Sequence, residues 1–350
     1  IGATFMYLQN YYMQNTPLGY DKDEIIITNM NNNIRKSRDA FASQVKSFSG
    51  IEEVTYAEML LSSHDQYMGW GRKYRDKDIQ FQCLPVEPSF LKVMNVKISE
   101  GRDFREEDKA KRYGTFVFNE RARTEYGLEI GSLIDSMEIV GFMPDVKFAS
   151  FRTEVTPMAF FVWGTNNWGN QPNYAYIKVK AGSDLRGAMQ HVKTTLQSFD
   201  PEYPFNVRFF DEVLNGLYEK ERSLSSLITL FSLIAIFISV VGVFGLVVFD
   251  SEYRKKEIGI RKVLGSTTEE IIVMFNKTYI RILCVCFVLG APIAGYVVHR
   301  WLENFAYKTP MYWWVYLIAF AIIAVITILT VTFQNWRAAN ENPVHSIKNE

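Results

Sequence analysis

Hydrophobic and polar positions divide the chain into two regimes. Up to about residue 222, apolar residues come in short runs or at helical spacing, with polar residues and turn formers between them. Residues 24–28 (EIIIT) form a β-branched run and predict a strand. Ile34, Phe41, Val45 and Phe48 recur near the helical period and predict a helix over 34–48, stopped by Gly50. Residues 54–57 then read as a returning strand, which completes a β-α-β unit. A second such unit is predicted from a strand at 174–179, a helix at 185–199 stopped by Pro201, and a strand at 205–209. Between the two, about 67–162, the chain is richer in strands and turns. Strands are predicted at 79–84, 115–118 and 137–142, short helices at 90–96 and 120–126, and a turn at 101–104.

The last third holds three long apolar runs, at about 224–249, 282–298 and 312–333. A bilayer crossing takes about 20 mostly apolar residues. The first and third runs contain no charge; the second is short and is interrupted by Gly290, Pro292 and Gly295. Arg254, Lys255, Lys256, Arg261, Lys262, Lys277 and Arg281 lie between the first two runs, against only Arg300 and Lys308 between the last two. The basic loop is therefore predicted to face the cytoplasm, and the Trp- and Tyr-rich loop the outer interface. That orientation puts residues 1–222 outside. The predicted fold class is an α+β extracytoplasmic domain, two β-α-β units with an inserted strand-rich subdomain, joined to an all-α transmembrane domain of three helices. Phe5, Met6, Tyr7, Leu8, Tyr11 and Tyr12 are too few to span, and residues 1–19 read as the outer end of a fourth helix expected upstream. The chain opens at Ile1 without Met or signal peptide and is read as the C-terminal piece of something longer. Ser232, Ala235, Ser239 and Gly242 put small side chains on neighbouring faces of the first span, as general helix packing or a dimer seam would need.

Two segments flank that first span. Residues 211–223 (DEVLNGLYEKERS) are charged and amphipathic, and predict a stalk helix with positions Asp211, Leu214, Leu217, Tyr218 and Glu221. Apart from Gly216 nothing breaks it, so a helix continuous with the span is expected. Residues 253–277, on the cytoplasmic side, predict two short helices with a hinge. Ile260, Val263 and Leu264 make an apolar stripe, Gly265 is a natural helix stop, and Ser266 with Glu269 predicts a capping box ahead of Ile271, Ile272, Met274 and Phe275. A defined stop and restart in so short a loop predicts an ordered docking element.

Composition narrows the chemistry. Of the 350 residues 48% are hydrophobic and 22% charged, with zero formal net charge, and mean hydropathy is −0.05 because the soluble and apolar parts cancel. Aromatic residues at 15% and balanced charge exclude a disordered chain, and the lack of a basic excess argues against nucleic acid as a partner. Three cysteines make no disulfide framework, and the four histidines are scattered. No G-x-S-x-G, P-loop or H-E-x-x-H occurs, so no catalytic residue and no metal ligand is assigned. Gly69-Trp70-Gly71 and 164–169 read as loops, with contact to a partner or substrate as the alternative. Cys83 reads as buried and inert.

The stretch 256–266 (KEIGIRKVLGS) resembles the signature after the second membrane helix in ABC transporter permeases of the MacB/FtsX/LolC type. The ending 342–347 (NPVHSI), Leu18-Gly19-Tyr20-Asp21, the segment 90–104 with its Gly101-Arg102-Asp103-Phe104, Asn119-Glu120 with Tyr126-Gly127, and residues 205–222 carry the resemblance along nearly the whole chain. His345 stands where that family often has an acidic or small residue. The resemblance implies a MacB-like core domain over 20–210 with porter-like β-α-β units, and an FtsX-like membrane domain over 224–350. It further implies a permease without catalysis or cofactor of its own, with ATP and Mg held by a partner P-loop ABC ATPase. A homodimer or a second permease half, membrane lipids, and a periplasmic adaptor or outer-membrane channel are the other implied partners. ATPase coupling would fall to Glu257, Gly259, Ile260, Arg261, Lys262, Val263, Leu264, Gly265 and Ser266. The expected function is export or release of a peptide, lipoprotein or drug-like substrate from the bacterial inner membrane. An FtsX-like regulator of a cell-wall hydrolase and a membrane-anchored sensor without an ATPase are the alternatives.

Overall fold

The computed structural model describes residues 1–62, 68–147, 151–166, 171–254, 257, 260, 261 and 264–339. They divide into two compact units, Thr16–Glu219, and Ile1–Asn15 with the chain from Lys220 onward. The strands are β1 (Ile25–Asn29), β2 (Ile51–Ala57), β3 (Met68–Tyr74), β4 (Lys77–Pro85), β5 (Glu100–Gly101), β6 (Thr115–Asn119), β7 (Leu133–Ile134), β8 (Met137–Met143), β9 (Met158–Val162), β10 (Tyr174–Val179) and β11 (Arg208–Phe209). The α-helices of the first unit are α2 (Asn32–Lys36), α3 (Arg38–Lys46), α4 (Phe90–Val93), α5 (Glu120–Tyr126), α6 (Leu185–Phe199) and α7 (Phe210–Gly216). Those of the second are α1 (Gly2–Asn15), α8 (Glu219–Tyr253), α9 (Thr268–Leu302) and α10 (Trp314–Ala339).

The α/β unit holds two sheets. In the first the order is β11-β1-β10-β2 and every neighbouring pair is antiparallel. β1 and β2, joined through α2 and α3, are thus separated by β10, and β10 and β11, joined through α6, by β1. This is the split β-α-β arrangement of ferredoxin-like folds. The second sheet is formed by the chain between β2 and β10, in the order β3-β4-β9-β6-β8-β5, with β7 paired to β8.

Both sheets are buried on both faces over much of their area, which is why their strands read as apolar runs rather than as clean alternation. Ile25, Ile27 and Tyr176 meet Leu84, Val117, Phe160 and Val162 in a core shared by the two sheets. Ile26, Ala175 and Ile177 point the other way, onto Phe41 and Val45 of α3 and Ala188, Val192 and Leu196 of α6. The far face of the second sheet packs Trp70, Phe81, Phe116, Phe118 and Phe161 together. Full burial of each such ring is worth roughly 1.5–3 kcal/mol.

Local chemistry sets the turns. Gly101 has φ +82, and a Cβ there would lie 2.5 Å from the Val140 carbonyl oxygen, so only glycine fits. Arg102 then donates through both terminal nitrogens to Asp108, at 2.8 and 2.7 Å, and Arg105 N–H donates to the same carboxylate at 2.8 Å. Asp108 is fully buried. The single helix predicted over 34–48 is instead two, because Ser37 leaves helical dihedrals (φ −116°, ψ 31°).

In the second unit, three helical stretches among the described residues are long and apolar enough to cross a membrane: Glu221–Asp250, Thr268–Leu302 and Trp314–Trp336. The middle one joins two elements that the sequence reading kept apart: the short helix predicted after the capping box and the apolar run at about 282–298 are one helix, α9, which starts at Thr268 and runs unbroken through Gly290, Pro292 and Gly295. Pro292 removes one intrahelical donor, whereas ending the helix there would strand several backbone groups in an apolar medium. Residues 2–15 form a helix that buries Phe5, Gln9 and Met13 at four-residue spacing. Phe5 packs with Val298, Leu302 and Val315. Gln9 donates its Nε2 to the Tyr307 carbonyl at 3.0 Å and accepts the Thr309 N–H at 2.8 Å.

Candidate coupling site

The segment between α8 and α9 is held at both ends. Arg254, just past α8, donates its Nε to Asp250 at 2.9 Å and lies over the Phe275 ring at 5.9 Å. Below it Val247, Ile271, Phe275 and Val331 form a buried cluster that joins α8, α9 and α10. Asn276 Nδ2 donates to Thr332 Oγ1 at 2.9 Å on the same level. The anchor of the elbow is therefore apolar packing on its α9 side.

Glu257, Ile260 and Arg261 are helical. Arg261 donates Nε and Nη2 to Glu257 Oε1 at 3.1 and 2.8 Å, an i,i+4 pair along one helix face. The helix closes by a Schellman arrangement. Gly265 takes φ +96, and Ser266 N–H reaches back to the Arg261 carbonyl at 2.9 Å. Because the Ser266 backbone is used in that closure, the capping box shifts by one residue. Thr267 Oγ1 accepts from Glu270 N–H at 3.3 Å, and Glu270 Oε2 accepts from Thr267 N–H at 3.0 Å. The Ser266–Glu269 box expected from sequence is not the one formed; the sequence satisfies the pattern at both registers.

Ile260 and Leu264 are 56% and 80% exposed. They are one helical turn apart, with Leu264 N–H bonded to the Ile260 carbonyl at 3.0 Å, and form the apolar edge of the elbow. Gly259, Lys262 and Val263 lie outside the described residues. Arg261, read from the resemblance as a coupling residue, is already engaged by Glu257.

The residues read as a stalk behave differently. α7 ends at Gly216, and Leu217 and Tyr218 make i→i−3 bonds to Leu214 and Asn215, both at 3.1 Å, before α8 starts at Glu219. The uninterrupted helix expected over 211–223 is thus broken by two residues. The cause is anchoring. Phe210, Val213 and Leu214 are buried in the core between the sheets, with Leu217 packed against it. The Tyr218 hydroxyl accepts the Phe151 N–H at 3.2 Å, with the two rings 6.1 Å apart. Asp211 is half-buried near the start of α7, where its Oδ1 accepts the Glu212 N–H at 2.9 Å. Glu221 is buried in α8. Sequence reading missed Phe210 and Val213 as anchors, although Phe210, Val213 and Leu214 carry helical i, i+3, i+4 spacing.

An α/β domain and an apolar helical unit in one chain define a membrane protein with a large extramembrane domain. The family model described as "MacB-like periplasmic core domain" matches residues 8–195, more than half of the chain, and "FtsX-like permease C-terminal" matches residues 229–343. The chain belongs to the MacB/FtsX family of ABC transporter permeases, proteins of the bacterial inner membrane.

Among curated proteins it is similar to the macrolide export ATP-binding/permease protein MacB of Chromobacterium violaceum, 23% identical over 230 residues, which is 63% of this chain and 35% of that protein. MacB of Escherichia coli strain K12 is 23% identical over 233 residues, with the same shares. The chain thus matches about a third of the length of these relatives. Among solved structures, the periplasmic region of MacB from Actinobacillus actinomycetemcomitans aligns with TM-score 0.41 and 13% identity, over 59% of this chain and 97% of that one. The extracellular domain of the noncanonic ABC-type transporter YknZ from Gram-positive bacteria aligns with TM-score 0.37 and 11% identity, over 53% and 99%.

Proposed function

We propose that this chain is the permease part of an ABC transporter that carries ATP-driven motion from a cytoplasmic ATPase to the α/β domain, for export or release of a substrate. ATP hydrolysis belongs to the partner. The names of the MacB relatives join ATP binding and permease in one protein, of which this chain matches about a third, and support ATP as the source of the motion.

The observation that carries the reading is the pair Ile260 and Leu264. Two exposed aliphatic side chains stand one turn apart on a helix stopped at Gly265 and rooted through α9 in a buried cluster. Such an edge fits an apolar groove on a soluble partner, with Glu257 and Arg261 at its flank. Gly265 and Ser266 close the helix and fix the angle at which it presents that edge. Motion received there passes along α8 towards Tyr218, Leu217 and the α7 anchor, with Leu214 as its buried foot and Asp211 and Glu221 on either side of the break. The residues 1–15 helix, packed on α9 and α10, is taken as the outer end of a further span.

Burial of two such side chains is worth roughly 3 kcal/mol or more. The double variant Ile260→Asp, Leu264→Asp should therefore weaken binding of the cognate ATPase by about a hundredfold. Co-purification and stimulated ATP hydrolysis measure it. Unchanged recovery with unchanged hydrolysis would remove the docking role.

A further inference from the structure

The chain passes between the two compact units twice, after Asn15 and after Glu219. The α/β unit therefore has two legs, an incoming one that starts at Thr16 and an outgoing one that ends at Glu219. Motion that arrives by one leg alone bends the chain at its foot. It moves the domain as a body only if the other leg follows.

The incoming leg is fastened on both sides of one peptide unit. Lys147 N–H donates to the Leu18 carbonyl at 2.8 Å, and the Tyr20 hydroxyl donates to the Lys147 carbonyl at 3.2 Å. Between those two bonds the backbone of Gly19 lies directly on Val146, where a Cβ would come within 2.5 Å of Val146 Cγ1. The outgoing leg is held by Phe151, whose N–H reaches the Tyr218 hydroxyl at 3.2 Å. Phe151 is buried, with its ring 6.1 Å from that of Tyr218.

Lys147 joins the two fastenings. Its Nζ stands 5.2 Å from the centre of the Phe151 ring, within cation–π reach. Partial burial pushes the Lys147 pKa down, a sign that water solvates the ammonium incompletely, and a poorly hydrated cation gains more from a ring face. A second crossing lies beside the first. The Tyr20 ring is 5.8 Å from that of Phe210, which is buried at the start of α7. An aliphatic side chain at 147 would fill the same volume, so what the lysine adds is the charge on the ring.

The geometry points to Lys147 as a positioning residue for transmission: through Phe151 it braces the incoming leg against the outgoing one, so that motion of α8 carries both. Its use for transport rests on the coupling role proposed above for α8; the brace itself does not.

The test perturbs one leg and reads the other. Amide hydrogen exchange is followed at single residues in the full-length chain in detergent, without any ATPase. Tyr218→Phe removes the acceptor on the outgoing leg and should speed exchange of the Phe151 amide about fivefold. It should also speed the Lys147 amide, which is bonded to the incoming leg, by about twofold. In a Lys147→Met background that second effect should vanish, and in Lys147→Arg it should persist. With the cognate ATPase bound, Lys147→Met should leave co-purification unchanged and lose stimulated ATP hydrolysis, which Lys147→Arg restores. Four results would overturn the brace: a Lys147 amide indifferent to Tyr218→Phe, an effect that survives Lys147→Met, stimulated hydrolysis unchanged in Lys147→Met, or a melting temperature lowered equally by Met and Arg, which would make the site packing alone. The exchange measurement involves no ATPase, so it stands or falls apart from the docking of Ile260 and Leu264.

Discussion

Asp108 illustrates how one buried carboxylate organises a stretch of chain. Burial by itself would raise its pKa. The Arg102 guanidinium, the Arg105 N–H and the Lys111 ammonium outweigh that and hold it below the ordinary carboxylate value. A depressed native pKa stabilises the fold above about pH 4, where the unfolded carboxyl is ionised. The contribution is lost as pH falls through the lower native value. Asp108→Ala leaves Arg102, a quarter exposed, without its partner and should cost about 3 kcal/mol. Thermal unfolding across pH checks both points. The variant should melt lower at neutral pH, and the gap should narrow in acid; a constant gap would contradict the role given to the charge. Gly101-Arg102-Asp103-Phe104 was legible as a turn, but Asp108 as its keystone was not, because the bond joins residues that no local pattern links. Gln9 was hidden for the same reason: its partners, Tyr307 and Thr309, lie about three hundred positions away.

Among the elements, β10, α5 and α6 were legible to the residue, since stop signals such as Gly127 and Pro201 act locally. Errors fall where tertiary contacts or competing caps decide. Leu217 and Tyr218 leave the helix because core packing and the Phe151 N–H hold them. At the elbow, 266–270 (STTEE) offers two capping boxes, and the Schellman closure at Gly265 selects the second. This makes a sharp prediction. Thr267→Ala should cost about 1 kcal/mol of helix start and speed amide exchange over the first turn of α9. Ser266→Ala should be close to neutral, because only its backbone N–H is used. The reverse order would restore the Ser266 box.

At the scale of the whole molecule, the division into an α/β unit and an apolar helical unit was plain, because uncharged runs of such length have few other uses. Strand order was not. Ile25, Ile26 and Ile27 are all buried, on alternating faces, and a strand buried on both sides gives no pattern to say which neighbour lies beside it. Orientation rests on the excess of Lys and Arg between the first two spans, and the coupling role depends on it. The direct measurement is cysteine accessibility in intact cells, with Leu264→Cys and Lys77→Cys made separately after Cys83, Cys284 and Cys286 are replaced by serine. The orientation predicts that a membrane-impermeant maleimide labels Cys at 77 in intact cells, and Cys at 264 only after permeabilisation. Labelling at 264 from outside would put the elbow beyond the reach of any cytoplasmic ATPase and contradict the account.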